Sequence, residues 1–477
     1  MDGGGAAIGT QGEVAERARP AYRKGMTTRR SFLKGAAVLS AGSLGAVSLS
    51  ASTLAPRPAG LLDGTGGIGG PVGSIGPLDV PAGSPDEVAR DEAFWTRVAA
   101  RYRVGDNVTN MEAGFFGMMA RPVLEAYHRH IDLANRNSSF FARQQFPAMQ
   151  RSVRQRVAAF VGAKPTELVL SRGATEALQA LITQYNRVKP GDSVMYADLD
   201  YNAMQWAMNS LAQRTGATVA RLEIPEPASH ENVLAAYAAA LDANPRTRLL
   251  LLTHCNNKTG LIIPVREIAD LAHRRNVDVV VDAAHSFGQV PLSVEELGCD
   301  FVGLNLHKWI GAPVGAGAMY IREDKLDAID RAHGDESPIT SIDGRLHMGT
   351  PNFAILMTIP DALDFQATIG VENKSARLRY LRDRWVKAVR STPGVDVLTP
   401  DDPKMVGALT SFRLHGRNTR EANQAITKTL LDEFHVFTFY RTGLAKGDCV
   451  RVTPALYNSA ADADKLASAI KTIAARG

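Results

Sequence analysis

Lys308 stands in the run Asn305-Leu306-His307-Lys308-Trp309, followed by glycines at 311, 315 and 317 and a proline at 313. An amine held against a buried strand end loses solvation, stays partly neutral and becomes a nucleophile. Twenty-six residues earlier, Val281-Asp282-Ala283-Ala284-His285 places a carboxylate at the end of an apolar run. A buried, uncompensated carboxylate is costly, so Asp282 calls for a cationic partner. Further upstream, Ser171-Arg172-Gly173-Ala174-Thr175-Glu176 joins an apolar run to a helical pattern. Its small residues let backbone N–H groups approach a ligand, and a helix N-terminus favours a phosphate dianion. Thr175 taken alone is more often just a helix cap. Together the three segments supply what pyridoxal phosphate needs: a phosphate cup, a partner that keeps the pyridine nitrogen protonated, and an amine for its aldehyde.

Residues so far apart meet only if the chain alternates strands and helices. The periodicity predicts helices over 121–135, 148–161, 174–186, 201–214, 231–241 and 264–275. It predicts strands over 167–170, 193–197, 218–222, 248–253, 277–282 and 301–305. Leu249-Leu250-Leu251-Leu252 and Val279-Val280-Val281 have no polar face, as in strands covered on both sides by helices. The fold class expected is therefore α/β, a doubly wound, mostly parallel sheet with its ligand at the carboxyl ends of the strands. After Phe353 the order changes to two long helical stretches reaching Arg390, then strands near 409–414 and 449–453, which predicts a smaller C-terminal α+β domain. The expected division is a leader over 1–55, a Gly/Pro-rich linker over 56–85, an N-terminal segment over 86–120, a large cofactor-binding domain over 121–352 and a small domain over 353–477.

From about Asn110 to Tyr457 the sequence resembles the class V aminotransferases, and within them the isopenicillin N epimerase-like proteins. The resemblance is carried by Ser171 to Ala177, by Thr253-His254-Cys255-Asn256-Asn257-Lys258-Thr259-Gly260, by Asp282 to His285, by His307-Lys308-Trp309, by Gly349-Thr350-Pro351-Asn352 and by Arg451-Val452-Thr453. It implies a large domain of the aspartate aminotransferase-like kind, with Lys308 bonded to the cofactor aldehyde and Asp282 paired with the pyridine nitrogen. It places Asn257 and His285 near the phenolic oxygen and Ala174, Thr175 and His307 at the phosphate. Asn305 stands where relatives often carry a small hydroxyl residue on that phosphate. Thr350 matches a residue that reaches the phosphate of a neighbouring subunit, which implies a homodimer. Arg451 matches the arginine that clamps a substrate carboxylate; otherwise it is a surface arginine on a strand. Tyr201 sits where many relatives stack a ring on the cofactor; its alternative is a core aromatic at a helix start.

The chemistry expected is proton removal at the amine-bearing Cα of an amino acid or peptide-like substrate, by Lys308, leading to transamination or epimerisation. Epimerisation also needs a proton donor on the other face, for which Tyr201 or a residue within 110–116 is available. Arg143 and Arg345 are candidates for a distal acidic group, although either residue type is more often a solvated surface arginine. Two alternatives compete. Cysteine desulfurases of this resemblance carry a nucleophilic cysteine on a mobile loop before the carboxylate arginine, whereas Arg441 to Asp448 is short and has none. A zinc hydrolase would use His254, Asp282, His285 and His307 as ligands, and would leave Lys308 unexplained.

The chain has 477 residues, 45% hydrophobic and 22% charged, with 54 Lys and Arg against 49 Asp and Glu. Most of the net +5 lies in the first 55 residues, so the remainder is nearly neutral, which argues against a nucleic-acid partner. That leader contains Thr28-Arg29-Arg30-Ser31-Phe32-Leu33-Lys34 before an uncharged, weakly apolar stretch, and it resembles a twin-arginine signal. Its glycines and serines make it a poor membrane span. The resemblance implies the twin-arginine export machinery as a partner, a periplasmic or secreted location, and export of the folded, loaded protein. It extends to exported enzymes that tailor siderophores, which points to a secondary metabolite or siderophore as substrate. Gly64 to Gly69 matches GxGxxG without a flanking strand and helix, so it is not read as a dinucleotide site. Cys255, Cys299 and Cys449 show neither disulfide nor zinc spacing and are expected to be unpaired and buried.

Overall fold

The computed structural model describes residues 78–105 and 107–476. The twin-arginine run, the GxGxxG match and the linker up to residue 77 lie outside the described residues. Seven strands make the central sheet: β1 (Leu168–Ser171), β2 (Ser193–Ala197), β3 (Thr218–Leu222), β4 (Thr247–Thr253), β5 (Asp278–Asp282), β6 (Phe301–Asn305) and β7 (Gly317–Ile321). Their spatial order is β1-β7-β6-β5-β4-β2-β3. Neighbours from β6 through β3 pair in parallel, while β7 runs antiparallel to both β6 and β1. The sheet is thus mostly parallel, as its apolar runs require. Leu250, Leu252, Val279 and Val281 enter one core. Leu249, Leu251 and Val280 enter the core on the other face.

Helices α1 (Arg121–Phe140), α2 (Phe146–Val161), α3 (Ala174–Thr183), α4 (Asn202–Thr215), α5 (His230–Ala243) and α6 (Val265–His273) flank this sheet. α1 runs five residues past the predicted end. A break at Ser138, φ 45°, and a π-turn over Phe141–Gln145 then join it to α2. β7 was not predicted, because the four apolar residues after Gly317 are too short a run to give a period to read.

The C-terminal region follows the predicted order. α7 (Phe353–Ile369) and α8 (Val371–Val389) precede an antiparallel sheet of β8 (Val395–Val397), β9 (Thr410–Leu414), β10 (Phe439–Arg441) and β11 (Cys449–Val452), in the order β10-β11-β9-β8. α9 (Arg420–Phe434) and α10 (Ala460–Ala475) pack on it around Trp385, Phe412, Leu430 and Ile470. Thr109 and Asn110 pair in parallel with Val436 and Phe437, and Glu112 forms a further bridge with Thr453. The following residues then cross to the Lys308 turn, where the Gly117 N–H donates to the His307 carbonyl at 2.8 Å. Among the described residues, no helix is long and apolar enough to cross a membrane.

Candidate active site

The carboxyl ends of β4, β5 and β6 and the N-terminus of α3 open on a cavity of about 730 Å³ that contains Lys308, Asp282, Asn257, Tyr201, Arg441 and Arg451. β5 delivers Asp282 at its last position. The side chain is buried, and the Ala284 N–H donates to its Oδ1 at 2.9 Å. Burial raises its pKa, opposed by that N–H and by Lys308. The turn after β6 delivers Lys308, whose Nζ lies 2.9 Å from His285 Nε2. Burial pulls the amine down to about 8, and the Asp282 carboxylate pulls the other way. His285 is held well below its ordinary value by burial and then by Lys308, Arg451 and Arg441. The imidazole is therefore neutral and accepts from the lysine.

Close packing fixes the Lys308 turn from outside. A Cβ on Gly117 would stand 1.8 Å from the Lys308 carbonyl oxygen, so only glycine lets the N-terminal segment lie against it. At the helix end, a Cβ on Gly173 would come within 3.1 Å of Asn305 Oδ1 and 3.2 Å of His307 Cε1. A Cβ on Gly317 would in turn press on Gly173 Cα at 2.5 Å. The His307 ring is set by Nδ1 donating to the Ala316 carbonyl at 2.8 Å.

The structure brings together all but one of the predicted site residues. Ala174, Thr175, Tyr201, Asn257, Asp282, His285, Asn305, His307, Lys308 and Arg451 all line the cavity. Tyr201 is 40% exposed there, at the position that starts α4, so it is not a core aromatic. Asn305 has a definite place: its Oδ1 accepts the Ala174 N–H at 2.7 Å. One helix-end donor is thereby satisfied by the protein, and the next N–H groups of the first turn remain without intrahelical acceptors. Thr350 is exposed on the loop before α7 and does not line this cavity.

The zinc alternative and the two candidate arginines for a distal acid find no support in the structure. The four proposed zinc ligands do not converge, and no group of three His, Cys, Asp or Glu among the described residues is placed to hold a metal ion. The reason is local: His285 Nε2 faces Lys308, and His307 Nδ1 faces a backbone carbonyl. Arg345, a candidate for a distal acid, is 1% exposed and donates to the carbonyls of Ile339, Ser341 and Leu326 instead. Arg143 is exposed on the π-turn and does not line the cavity either.

Sequence reasoning missed the partners of Arg451. This buried guanidinium pairs with Glu112 through Nη2 and through Nε at 3.3 Å, and its Nη1 donates to the Asn257 carbonyl at 2.8 Å. Arg441 joins the same carboxylate, Nη2 to Oε1 at 2.7 Å. The glycine two residues after Glu112 was a readable signal, since a Cβ on Gly114 would stand 2.7 Å from Arg451 Nη2.

Atoms left without partners test the fit of pyridoxal phosphate. Asn257 Oδ1 and His285 Nδ1 are buried and unsatisfied. Buried polar atoms are normally paired, so unpaired ones converging on a cavity with an amine and a strand-end carboxylate suit a polar ring system. The glycine-lined helix end suits its phosphate.

Fold and site together define an enzyme of the class that bonds pyridoxal phosphate through a lysine. The chain belongs to the aminotransferase class-V family, which matches residues 119–466, and pyridoxal 5'-phosphate is its cofactor. It is 28% identical over 403 residues to isopenicillin N epimerase of Streptomyces clavuligerus, covering 80% of this chain and 98% of that protein. The crystal structure of the cysteine desulfurase CsdA from Escherichia coli superposes with a TM-score of 0.67 at 24% identity, over 79% of this chain and 98% of the other. A C-DES mutant with glycine covalently linked to the cofactor superposes with a TM-score of 0.68 at 22% identity, over 77% and 97%. At those identities the structural likeness speaks for the fold.

Proposed function

We propose that the protein moves a proton at the amine-bearing Cα of an amino acid or peptide-like substrate, and that the outcome is epimerisation. The observation that carries this reading is Lys308: an amine lining the cavity, lowered to about 8, with a neutral imidazole 2.9 Å away and a buried aspartate at the adjacent strand end. A general base near neutral pKa is what proton abstraction at ordinary pH requires. The likeness to isopenicillin N epimerase over nearly the whole of that protein supports an epimerase over a transaminase.

Pyridoxal phosphate, when bound, supplies an electron sink for the charge left at Cα. Asp282 would hold the pyridine nitrogen, Asn257 and His285 the phenolic oxygen, and the first turn of α3 with His307 the phosphate. Lys308 would take the Cα proton of the bound substrate. Arg451 would orient the substrate carboxylate, and Tyr201, exposed within the cavity, would return a proton on the other face. The desulfurase reading is not favoured, since Cys449 lies buried on β11, where burial raises its thiol to about 12.

Export by the twin-arginine route, a periplasmic substrate of the siderophore or secondary-metabolite kind, and a homodimer with Thr350 reaching the partner's site belong to the same reading. The deciding experiment follows solvent deuterium into Cα of candidate amino acids and peptides. Exchange with inversion and no oxo-acid product is expected, and it should be lost in Lys308→Ala. Exchange that depends on an oxo-acid acceptor and releases a new oxo acid would overturn epimerisation in favour of transamination. Periplasmic recovery of an Arg29→Lys, Arg30→Lys double variant would remove the twin-arginine part alone.

A further inference from the structure

One wall of the cavity carries two guanidiniums and a single carboxylate. Glu112 is 8% exposed, and its backbone is pinned on both sides. The Thr453 N–H donates to the Met111 carbonyl at 2.7 Å, the Ala113 N–H donates to the Thr453 carbonyl at 3.1 Å, and the Glu112 N–H donates to Asn110 Oδ1 at 2.9 Å. A substrate anion does not readily push such a carboxylate aside. Glu112 accepts from Nε and Nη2 of Arg451, and Nη1 of Arg451 donates to the Asn257 carbonyl, which leaves one N–H on each terminal nitrogen. Arg441 donates to Glu112 and, through Nη1, to the Tyr440 carbonyl at 3.3 Å, while its buried Nε has no partner. Arg441 also lines the cavity, so the wall has donors to spare for an anion.

We propose that Glu112 is a positioning and specificity-determining residue: it holds Arg441 and Arg451 with their remaining N–H groups toward the cavity and cuts their combined charge to one positive unit, so that the wall receives one carboxylate and not two. The inference rests on Arg451 as the substrate-carboxylate clamp and goes beyond it by naming what sets the clamp's charge and aim. Glu112 acts through the arginines and is not itself a catalytic residue. A second carboxylate brought to this wall finds no second uncompensated cation, and like charge at Glu112 repels it.

The test titrates the holoenzyme with propionate and with succinate, reading the shift of the visible band of the lysine-bound cofactor. In the wild type succinate gains nothing over propionate. Glu112→Gln should raise the succinate-to-propionate affinity ratio by about tenfold, through one newly unpaired cation. Glu112→Gln combined with Arg441→Gln should return the ratio to the wild-type value, because the net charge is one again. Glu112→Asp, which keeps the charge, should keep the ratio while weakening both acids. A merely structural role predicts that both acids weaken together in every variant and that the double variant is worst, and that result overturns the proposal. An unchanged ratio in Glu112→Gln overturns it as well. A wild type without the visible band removes the underlying reading of the site, whereas a band with an unmoved ratio removes only the role of Glu112.

Discussion

Lys308, half-buried, and Arg451, buried, are basic groups lining the same cavity, and the protein handles their charge in opposite ways. Around Lys308 the surroundings lower the cost by suppressing charge: burial takes the amine down to about 8 and keeps His285 neutral. Around Arg451 the charge is kept and matched, since Glu112 sits against both Arg451 and Arg441. Arginine cannot be neutralised at accessible pH, so a buried guanidinium must be paired, whereas a buried lysine can give up its proton. The lysine region is therefore suited to moving protons and the arginine region to holding an anion in place. A single cavity needs both, one for chemistry and one for orientation.

The comparison breaks most visibly at Arg451. Arg451→Gln leaves Glu112 with Arg441 alone and removes the fork that receives a substrate carboxylate. Truncating one partner of a buried charge pair costs about 2 to 5 kcal/mol, so kcat/KM should fall by about two to three orders of magnitude. The cofactor's visible band should persist, because Lys308 and Asp282 both stay in place in the cavity. Loss of the band together with activity would show that the two regions are not separable.

The lysine side sharpens through pH. In the apoprotein the amine must be neutral to attack an aldehyde, and its pKa is about 8. The rate of cofactor attachment should rise about tenfold per pH unit below that value and level off above it. The groups facing the amine are His285, Asp282, Arg451, Arg441 and Cys255, and of these Asp282 favours its protonated form the most, with a smaller contribution from Cys255. Asp282→Asn should therefore move the inflection down, and a profile still rising to pH 10 would mean that the amine is solvated. The folded state binds fewer protons here than the unfolded chain, so the site costs the apoprotein stability in full below about 8, and that cost is relieved as pH rises from about 8 toward the unperturbed 10.4 or so.

A smaller effect, on stability, belongs to the segment that joins the two regions. Gly117→Ala forces a Cβ into the Lys308 carbonyl at 1.8 Å, and the backbone must shift. A loss of about 1 to 3 kcal/mol is expected, read by denaturant unfolding of the holoenzyme. An unchanged midpoint would mean that the segment is free to lift off the turn.

These two regions were not equally legible in the sequence. Lys308, Asp282 and the Gly173-Ala174-Thr175 turn could be placed because each lies at the end of an apolar run, so topology alone sends them to one sheet edge. The strand boundaries over 193–197 and 301–305 agree residue for residue with the structure, since runs buried on both faces have sharp limits, and 218–222 agrees as well although it is an edge strand with Thr218, Val219 and Arg221 exposed. Glu112 and Arg441 were not singled out, because neither belongs to a periodic element of any length. Glu112 follows a two-residue strand, and Arg441 closes a three-residue one. Their meeting depends on a contact across 329 positions that no local pattern encodes. Arg345 misled for the same reason, as three backbone carbonyls from loops claim it.

The smallest expected effect concerns Cys449, which lies two residues from Arg451 on β11 and therefore closer in sequence to the clamp than any other thiol. A cysteine that attacks substrate must be exposed and partly ionised. Cys449 is fully buried, its thiol lies against the Lys258 carbonyl at 3.7 Å, and burial raises it to about 12. Cys449→Ser keeps the shape and a hydrogen-bond donor, so kcat should change by no more than about twofold, with a stability loss on the order of 1 kcal/mol from burying a hydroxyl. Sulfur release from cysteine, abolished in Cys449→Ser while Cα exchange persists, would place a nucleophile on the anion-holding wall and erase its distinction from the lysine region. Retained Cα exchange with no sulfur release in either protein leaves Lys308 as the residue that moves the proton and Arg451 as the one that aims the substrate.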